Sequence, residues 1–588
     1  MKNFIKFTFA SMLGMILASI VFTILGIVTM VGIFTSSDTE TTVKENSVFV
    51  LNLDGILSER VQEVNPISTL MGEKFSELSL EEILSAIKKA KDNENIKGIY
   101  IEAGMLEASF ASLEEIRNTL KNFKESGKFV VAYADTYTQG MYYLSSVADK
   151  VIINPQGNIY WQGLASQIVF YKDLMKKVGV EMEIFKVGTY KSAVEPFIAT
   201  EMSEANREQT TAFLNSIWGR LVEDVSASRG ISEDVLKKCA DEFMMISPAE
   251  TYIANGLADT LLYKDGVLDY LKELTGRKAD ESLRTLSLAD MKNVKRNEPL
   301  DKSGNIIAVY YAEGGIDDSI AADESGINSQ KVINDLRKLR EDENVKAVVL
   351  RVNSPGGSAF GSEQIWREVN LLKEKKPIVV SMGDYAASGG YYISCAADYI
   401  VANPTTLTGS IGIFGMFPNL ENLLTDKLGL HFDVVKTNRF ADMGSMNRSF
   451  NAAEKEAMQN YINNGYKLFV TRCAEGRGMS VEDIQKIAEG RVWTGAAAKE
   501  LGLVDELGGL DKAIEIASEK ADIEDYSIIN YPSQGNFFDV LLKEGKENYI
   551  QGQIAEELGE YYHYVKFLQN IKDMDRIQAR MPFNLHIR

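Results

Sequence analysis

The stretch GDYAASGGYYIS (Gly383–Ser394) sets one hydroxyl, Ser388, between two alanines and two glycines, directly after the apolar run KPIVVSM. Small neighbours leave room for a carbonyl to approach that oxygen, as a covalent nucleophile requires. A serine hydroxyl is weak on its own and needs an adjacent base. The 588-residue chain has three histidines, His431, His563 and His586. None lies in a motif, although spacing alone does not exclude a Ser-His-Asp triad. A lysine can act as base where desolvation brings its pKa from about 10.4 toward 7–8. Lys191 follows the apolar run EMEIFKV and the turn GTY, a context that can present it to a covered cleft. An acylated serine also needs oxyanion donors. Gly356 and Gly357 in SPGGS (Ser354–Ser358) let a backbone N–H approach a substrate closely, and the N–H of Gly389 is the natural second donor.

Each signal has an ordinary explanation by itself. AASGG suits tight strand–helix packing, a lone lysine on a turn is usually a solvated charge, and PGG is usually only a turn. A second copy of the pattern changes their weight. Residues 95–155 match 344–404 at 18 of 61 positions, without a gap, at a constant offset of 249. The chain therefore carries two homologous units. In each, IKGIYIEA or VKAVVLRV reads as a strand, LEEIRNTLKNF or SEQIWREVNLLKE as a helix, and KFVVAY or PIVVSM as the next strand. Apolar runs alternating with helical patterns predict βαβ crossovers, a largely parallel sheet and an α/β class.

The copies differ in a complementary way. Ser388 faces Gln139, and SPGGS faces MLEAS, so only the second copy has the hydroxyl and the glycine pair. With a one-residue gap, FKVGTYKSAVEPF (from Phe185) faces VKTNRFADMGSM, which puts Lys191 opposite Ala441. One half lacks the serine and the other lacks the lysine. A composite site built from both halves would have this signature.

Together GDYAASGGYYIS, RVNSPGGS, NPTTLTGSIGIFG and GTYKSAVEPF resemble the signal peptide peptidase A family in its long, two-domain, membrane-anchored form. The similarity runs over nearly the whole chain, including the IQARMPF tail. The resemblance implies a serine–lysine endopeptidase with two tandem Clp-protease/crotonase-like domains of ββα superhelix units, preceded by one transmembrane helix. It implies Ser388 as nucleophile, Lys191 as general base and Ser410 of GSIG as the hydroxyl that orients the lysine, with Trp161 in the place of Ser410 in the first copy. It further implies a homotetramer, remnant signal peptides as substrates, and no cofactor or metal.

The remaining organisation follows from composition. The run from Phe9 to Phe34 holds 26 residues without a charge, more than the roughly 20 needed to cross a bilayer core. It is too long for the apolar core of a cleaved signal peptide, about 7–15 residues. Lys2 and Lys6 precede it, so the expected topology is a single pass in the cytoplasmic membrane with a cytoplasmic N-terminus and the bulk of the chain outside. The expected division is an N-terminus (1–8), an anchor (9–34), a linker (35–46), a lysine-bearing domain (47–275), a linker (276–299), a serine-bearing domain (300–530) and a C-terminal extension (531–588). The formal charge of −20 argues against nucleic acid as a partner. Cys239, Cys395 and Cys473 show no metal spacing and read as core residues. Two rivals remain at this level. An acyl-CoA hydratase or isomerase of crotonase fold would need carboxylates at the site, where only Asp384 is close in sequence. An inert membrane scaffold would not need to keep both Ser388 and Lys191.

Overall fold

A computed structural model describes residues 7–8, 12–15, 17–19, 21–22, 40–61, 77–295, 301, 303–318, 326–533 and 576–581. Most of the expected anchor lies outside these residues. Among the described residues, no helix is long and apolar enough to cross a membrane.

The first half begins with β1 (Ser47–Ser58), β2 (Glu77–Ser79), β3 (Ile96–Glu107), β4 (Phe129–Tyr137) and β5 (Lys150–Ile159), then continues through β6 (Glu181–Lys186), β7 (Thr260–Leu261) and β8 (Thr285–Leu286). All but β6 form one parallel sheet in the order β2-β1-β3-β4-β5-β7, with β8 beside β1. Helices α1 (Leu80–Asp92), α2 (Phe110–Lys124), α3 (Gln139–Ser145) and α4 (Glu204–Arg229) accompany it. Near-continuous apolar strands suit a sheet buried on both faces. Val130 and Ile99 belong to the larger core, whereas Val131 and Tyr100 pack on the other side. The stretch 276–299, expected as a linker, contributes β8 and a short helix, Leu288–Lys292, packed on α1.

The second half repeats the plan with β9 (Ile306–Glu313), β10 (Ile316–Asp317), β11 (Ile327–Asn328), β12 (Val345–Ser354), β13 (Gly356–Ser358), β14 (Ile378–Ala387), β15 (Tyr399–Ala402), β16 (Leu407–Gly409), β17 (Phe414–Asn419), β18 (Val492–Thr494), β19 (Glu506–Leu507), β20 (Ser527–Tyr531) and β21 (Ile577–Arg580). Its helices include α5 (Ala359–Lys373), α6 (Gly389–Ser394) and α7 (Ala452–Arg477). The main sheet runs β18-β16-β14-β12-β9-β20, with β15 and β19 paired beside β14; only β18 is antiparallel. The three cysteines are buried and free.

Periodicity did not foretell the third sheet, β11-β10-β13-β21-β17-β6. There β6 of the first half pairs antiparallel with β17 of the second, from Glu181↔Asn419 to Lys186↔Phe414. One continuous ladder thus carries the chain from the first half to the second, a few residues before Lys191.

Polar groups on α2 make the other joint. Ser109, the N-cap of α2, and Ser112 both donate hydroxyl hydrogen bonds to Asp384 Oδ1 at 2.6 Å. Thr405 Oγ1 donates to Glu114 at 2.8 Å. Arg351 of β12 is fully buried between Glu59 and Glu115, 2.9 Å from each, and also donates to Ser381. Glu115 accepts from Leu510 N as well, at 2.7 Å. Burial pushes Glu59 up to about 7 against the pull of Arg351. Burial acts upward on Glu115 too, but Arg351 and the Leu510 N–H outweigh it and hold that carboxyl below its usual range. Removing one partner of a buried ion pair costs about 3–5 kcal/mol, because the other is left uncompensated. Glu115→Ala is therefore expected to lower the urea midpoint of the transition that separates the halves, and Glu115→Gln, which keeps part of the hydrogen bonding, to lower it less.

Candidate active site

Two left-handed serines frame the site. Ser388 lies at the turn from β14 into α6 with φ +57° and ψ −111°, a conformation a serine adopts at a cost of about 1–3 kcal/mol. At many helix starts among the described residues a serine or threonine hydroxyl caps the first turn, as Thr138 does for α3. Ser388 occupies the N-cap of α6 without making that bond, so its hydroxyl is turned elsewhere. Its backbone is held by the Gly409 carbonyl, which accepts from Ser388 N at 2.8 Å. Ser410, the next residue along that loop, is likewise left-handed, with φ +51°.

Lys191 reaches this corner from the other half. Its Nζ lies 2.8 Å from Ser388 Oγ, 3.1 Å from Ser410 O and 3.1 Å from Ser410 Oγ. All three residues are 0% exposed. Burial alone drives the lysine well below its ordinary pKa, with no carboxylate to offset it. A neutral amine has two N–H donors and one lone pair, which matches the three contacts. In that form the two donors would satisfy the Ser410 oxygens, Ser410 Oγ in turn donates a hydrogen bond to Gly490 O at 3.3 Å, and the lone pair would face the Ser388 hydroxyl, which also lies 3.4 Å from Gly412 O. An amine so placed can take the hydroxyl proton as the oxygen attacks a carbonyl.

Around the corner, Gly356 has φ +95°, and its N–H donates to Ser354 Oγ at 3.1 Å. A Cβ at Gly356 would lie 2.1 Å from Ala579 O and 2.6 Å from Gly389 N. A Cβ at Gly357 would lie 2.1 Å from Ile316 O. Only glycines fit this close approach of backbones. The amides of Gly357 and Gly389 also lie at this corner, Gly357 in the β13–β21 ladder opposite Ala579. The six residues named from sequence thus converge on one corner. His431, by contrast, lies on an exposed segment, whereas Ser388 is buried.

The first copy's equivalent corner is closed. Gln139 accepts from Gln162 N and Gly163 N and donates to Gly163 O. Trp161 is buried and donates to Leu236 O. Ala441, opposite Lys191 in sequence, is exposed.

The loop around Gly490 escaped the reading of the sequence. Tyr190 N donates to Glu489 O at 3.0 Å, and a Cβ at Gly490 would lie 2.7 Å from Lys191 Cβ. Gly490 therefore gives the lysine its path to the serine. A signal was there: aligning EGRVWTG with EFMMISP sets Gly490 against Phe243, another copy difference at a left-handed position.

Both halves of the chain resemble known proteins. Peptidase family S49 matches twice, over residues 122–278 and 370–524, once in each half, and Clp protease matches over residues 319–406. The chain is 38% identical over 509 residues to Protease 4 of Salmonella typhi, spanning 84% of this chain and 81% of that protein. It is 34% identical over 557 residues to Protease 4 of Haemophilus influenzae, spanning 91% and 90%. Against the chloroplastic Serine protease SPPA of Arabidopsis thaliana it is 33% identical over 487 residues, spanning 82% and 70%.

The depressed lysine has a consequence for stability. Between its folded pKa and its unfolded value of about 10.4 the unfolded chain binds one more proton, so stability attributable to Lys191 rises with pH and is lost as pH falls. Lys191→Met removes this burden while keeping the packing. The variant is expected to melt above the wild type, by a margin that widens as pH falls from about 10 toward the depressed pKa and is constant below it. Paired thermal scans across pH measure the margin; equal melting temperatures at all pH values would contradict a desolvated, neutral lysine.

Proposed function

The chain belongs to Peptidase family S49 and is a serine protease, and we propose that Ser388 is its nucleophile, Lys191 its general base and Ser410 the residue that orients the lysine. The observation that carries this reading is the 2.8 Å contact between a buried lysine and a strained, buried serine from opposite halves of the chain. In the first step Oγ bonds to the scissile carbonyl carbon as its proton passes to Nζ. The carbonyl oxygen becomes the oxyanion and is held by the N–H groups of Gly357 and Gly389. On collapse the C–N bond breaks, and the lysine ammonium returns its proton to the leaving amine. A water then attacks the acyl ester, again with Lys191 as base, and frees the acid and the serine.

The substrates we propose are apolar peptides in or near the membrane, namely signal peptides left after cleavage. The uncharged run 9–34 behind Lys2 and Lys6 supports an anchor that would hold the site close to them. The expected division of the chain, with a lysine-bearing unit at 47–275 and a serine-bearing unit at 300–530, belongs to the same reading.

A homotetramer is also part of it. Residues 431–436 (HFDVVK) are the copy of β6, and 165–170 (ASQIVF) are the copy of β17. Among the described residues neither segment forms a ladder like that of β6 and β17, Ser166 making only an isolated bridge; Val435 is 98% and Val169 53% exposed. Repeating the β6–β17 pairing from one copy to the next would join these segments head to tail and close a ring. Val435→Lys is expected to reduce the oligomer mass in light scattering, with the fold retained.

The chemistry is tested by kcat/KM on one apolar peptide. Ser388→Ala and Lys191→Arg are each expected to lose at least about 10³-fold, since guanidinium stays protonated at working pH. Ser410→Ala is expected to lose about tenfold, the worth of an orienting hydrogen bond. Wild-type activity should rise with pH through the depressed lysine pKa and level off above it. Near-wild-type turnover by Lys191→Arg would remove the lysine from the mechanism.

A further inference from the structure

One buried side-chain amide joins the turn that carries Lys191 to the strand that backs both serines. Gln209 lies in the second turn of α4, in the first half, and is 1% exposed. Its Nε2 donates to Tyr190 O at 3.1 Å and to Ser192 Oγ at 3.0 Å, the residues on either side of Lys191. Its Oε1 accepts from Val492 N at 3.1 Å, in β18 of the second half. Only this orientation of the amide fits. Turned over, its carbonyl would face the Tyr190 carbonyl and its NH2 the Val492 N–H. Nε2 also lies 3.1 Å from Asn206 Oδ1, and Asn206 Nδ2 in turn donates to Glu195 at 2.9 Å.

The far end of this bridge is the part of the chain that holds the serines. Val492 is opposite Gly409 in the β16–β18 register, and Gly409 O accepts from Ser388 N at 2.8 Å. The preceding residue, Arg491, accepts from Ser410 N at 2.7 Å through its carbonyl. We propose that Gln209 is a positioning residue for the general base: its amide spans from α4 to both flanks of Lys191 and to β18, and so sets the separation of Nζ from Ser388. It acts through Lys191 and touches no substrate. This rests on the reading of Lys191 as the base.

The second copy supports the assignment. Helices α4 and α7 have equal length, from N-caps Ser203 and Asn451 to C-caps Gly230 and Gly478. Aligned on these ends, Gln209 falls opposite Ala457, which is exposed. Where the lysine is missing, the glutamine is missing too. The charged groups around the turn are engaged in other ways. Lys186 Nζ donates to Lys191 O, Glu195 accepts from Ser203 and Asn206, Glu489 accepts from Thr189 N, and Glu208 pairs with Arg491. None of these contacts joins the turn to β18.

The test uses the full chain. Gln209→Met nearly keeps the shape of the side chain and removes both hydrogen-bonding groups. A base displaced by a fraction of an ångström slows the chemical step more than binding. On a short apolar peptide kcat should fall at least about tenfold, with KM within about twofold. The rising limb of kcat against pH should also move to higher pH, because an amine no longer held in its dry position keeps its proton more readily. Ser216→Ala is the control. Ser216 Oγ lies 3.0 Å from Thr494 Oγ1, a second tie between α4 and β18 that does not involve the lysine turn. It should leave kcat and the pH limb at wild-type values. Wild-type kcat and pH limb in Gln209→Met, or the same changes in Ser216→Ala, would overturn the proposal. Should Gln209→Met fail to reach the wild-type oligomer mass, Gln209→Asn decides. It keeps the amide but is one methylene too short for the span, so the same loss of kcat and shift of the limb are expected, and wild-type values would overturn the proposal equally. Near-wild-type turnover by Lys191→Arg would instead defeat the reading of the base, so the two failures are distinct.

Discussion

The proposed chemistry requires a lysine amine kept buried, uncharged and within reach of a serine from the other half of the chain, here at 2.8 Å. Most of the architecture serves that demand. Water around Nζ would restore the ammonium form, and a carboxylate beside it would do the same more strongly. Lys191 is fully buried, burial alone acts on its amine, and its neighbours are hydroxyls, carbonyls and glycine backbones; the contacts to Ser410 need only the two N–H groups of a neutral amine. The carboxylates of the domain joint act on Arg351 instead, away from the lysine in the electrostatics of the site.

Holding two halves at this tolerance takes two unlike joints. The β6–β17 ladder fixes the lysine segment along one direction by backbone pairing, which is insensitive to side-chain identity. The α2 joint is made of hydroxyls and carboxylates that fit only one seating, with Arg351 satisfied solely when Glu59 and Glu115 close on it. Buried ionic groups of this kind add little net stability and much penalty for misplacement. Backbone pairing gives the approach, and the ionic joint rejects wrong seatings.

Duplication explains why the site is singular although its scaffold occurs twice. In the first half Gln139 ties down the loop that corresponds to the serine's surroundings, and Trp161 fills the place of Ser410. In the second half the counterpart of the lysine segment is exposed and has no strand partner of the β6 kind. Each half has lost what the other supplies, and Gly490 in place of a phenylalanine-like residue clears the route between them.

Much of this was legible in the linear chain. Apolar runs and helical spacing are local properties, so the α/β class, the parallel order of the main sheets and the strand before Ser388 followed from them. The internal offset of 249 converted weak local signals at Ser388, Lys191 and the glycine pair into a joint one, because the two copies differ at these positions in a complementary way. What periodicity could not specify was pairing between distant short strands. The segments β6, β17 and β21 carry little patterning of their own, and they meet across separations of more than 150 residues. The Glu59–Arg351–Glu115 joint and the Gly490 passage were equally unreadable: a charge or a glycine has no sequence mark that says which distant surface it meets. The sequence by itself determined which groups could react. Only the tertiary structure decided that Lys191 is dry and aligned on Ser388, because desolvation and a 2.8 Å contact are properties of packed surfaces, not of order along the chain.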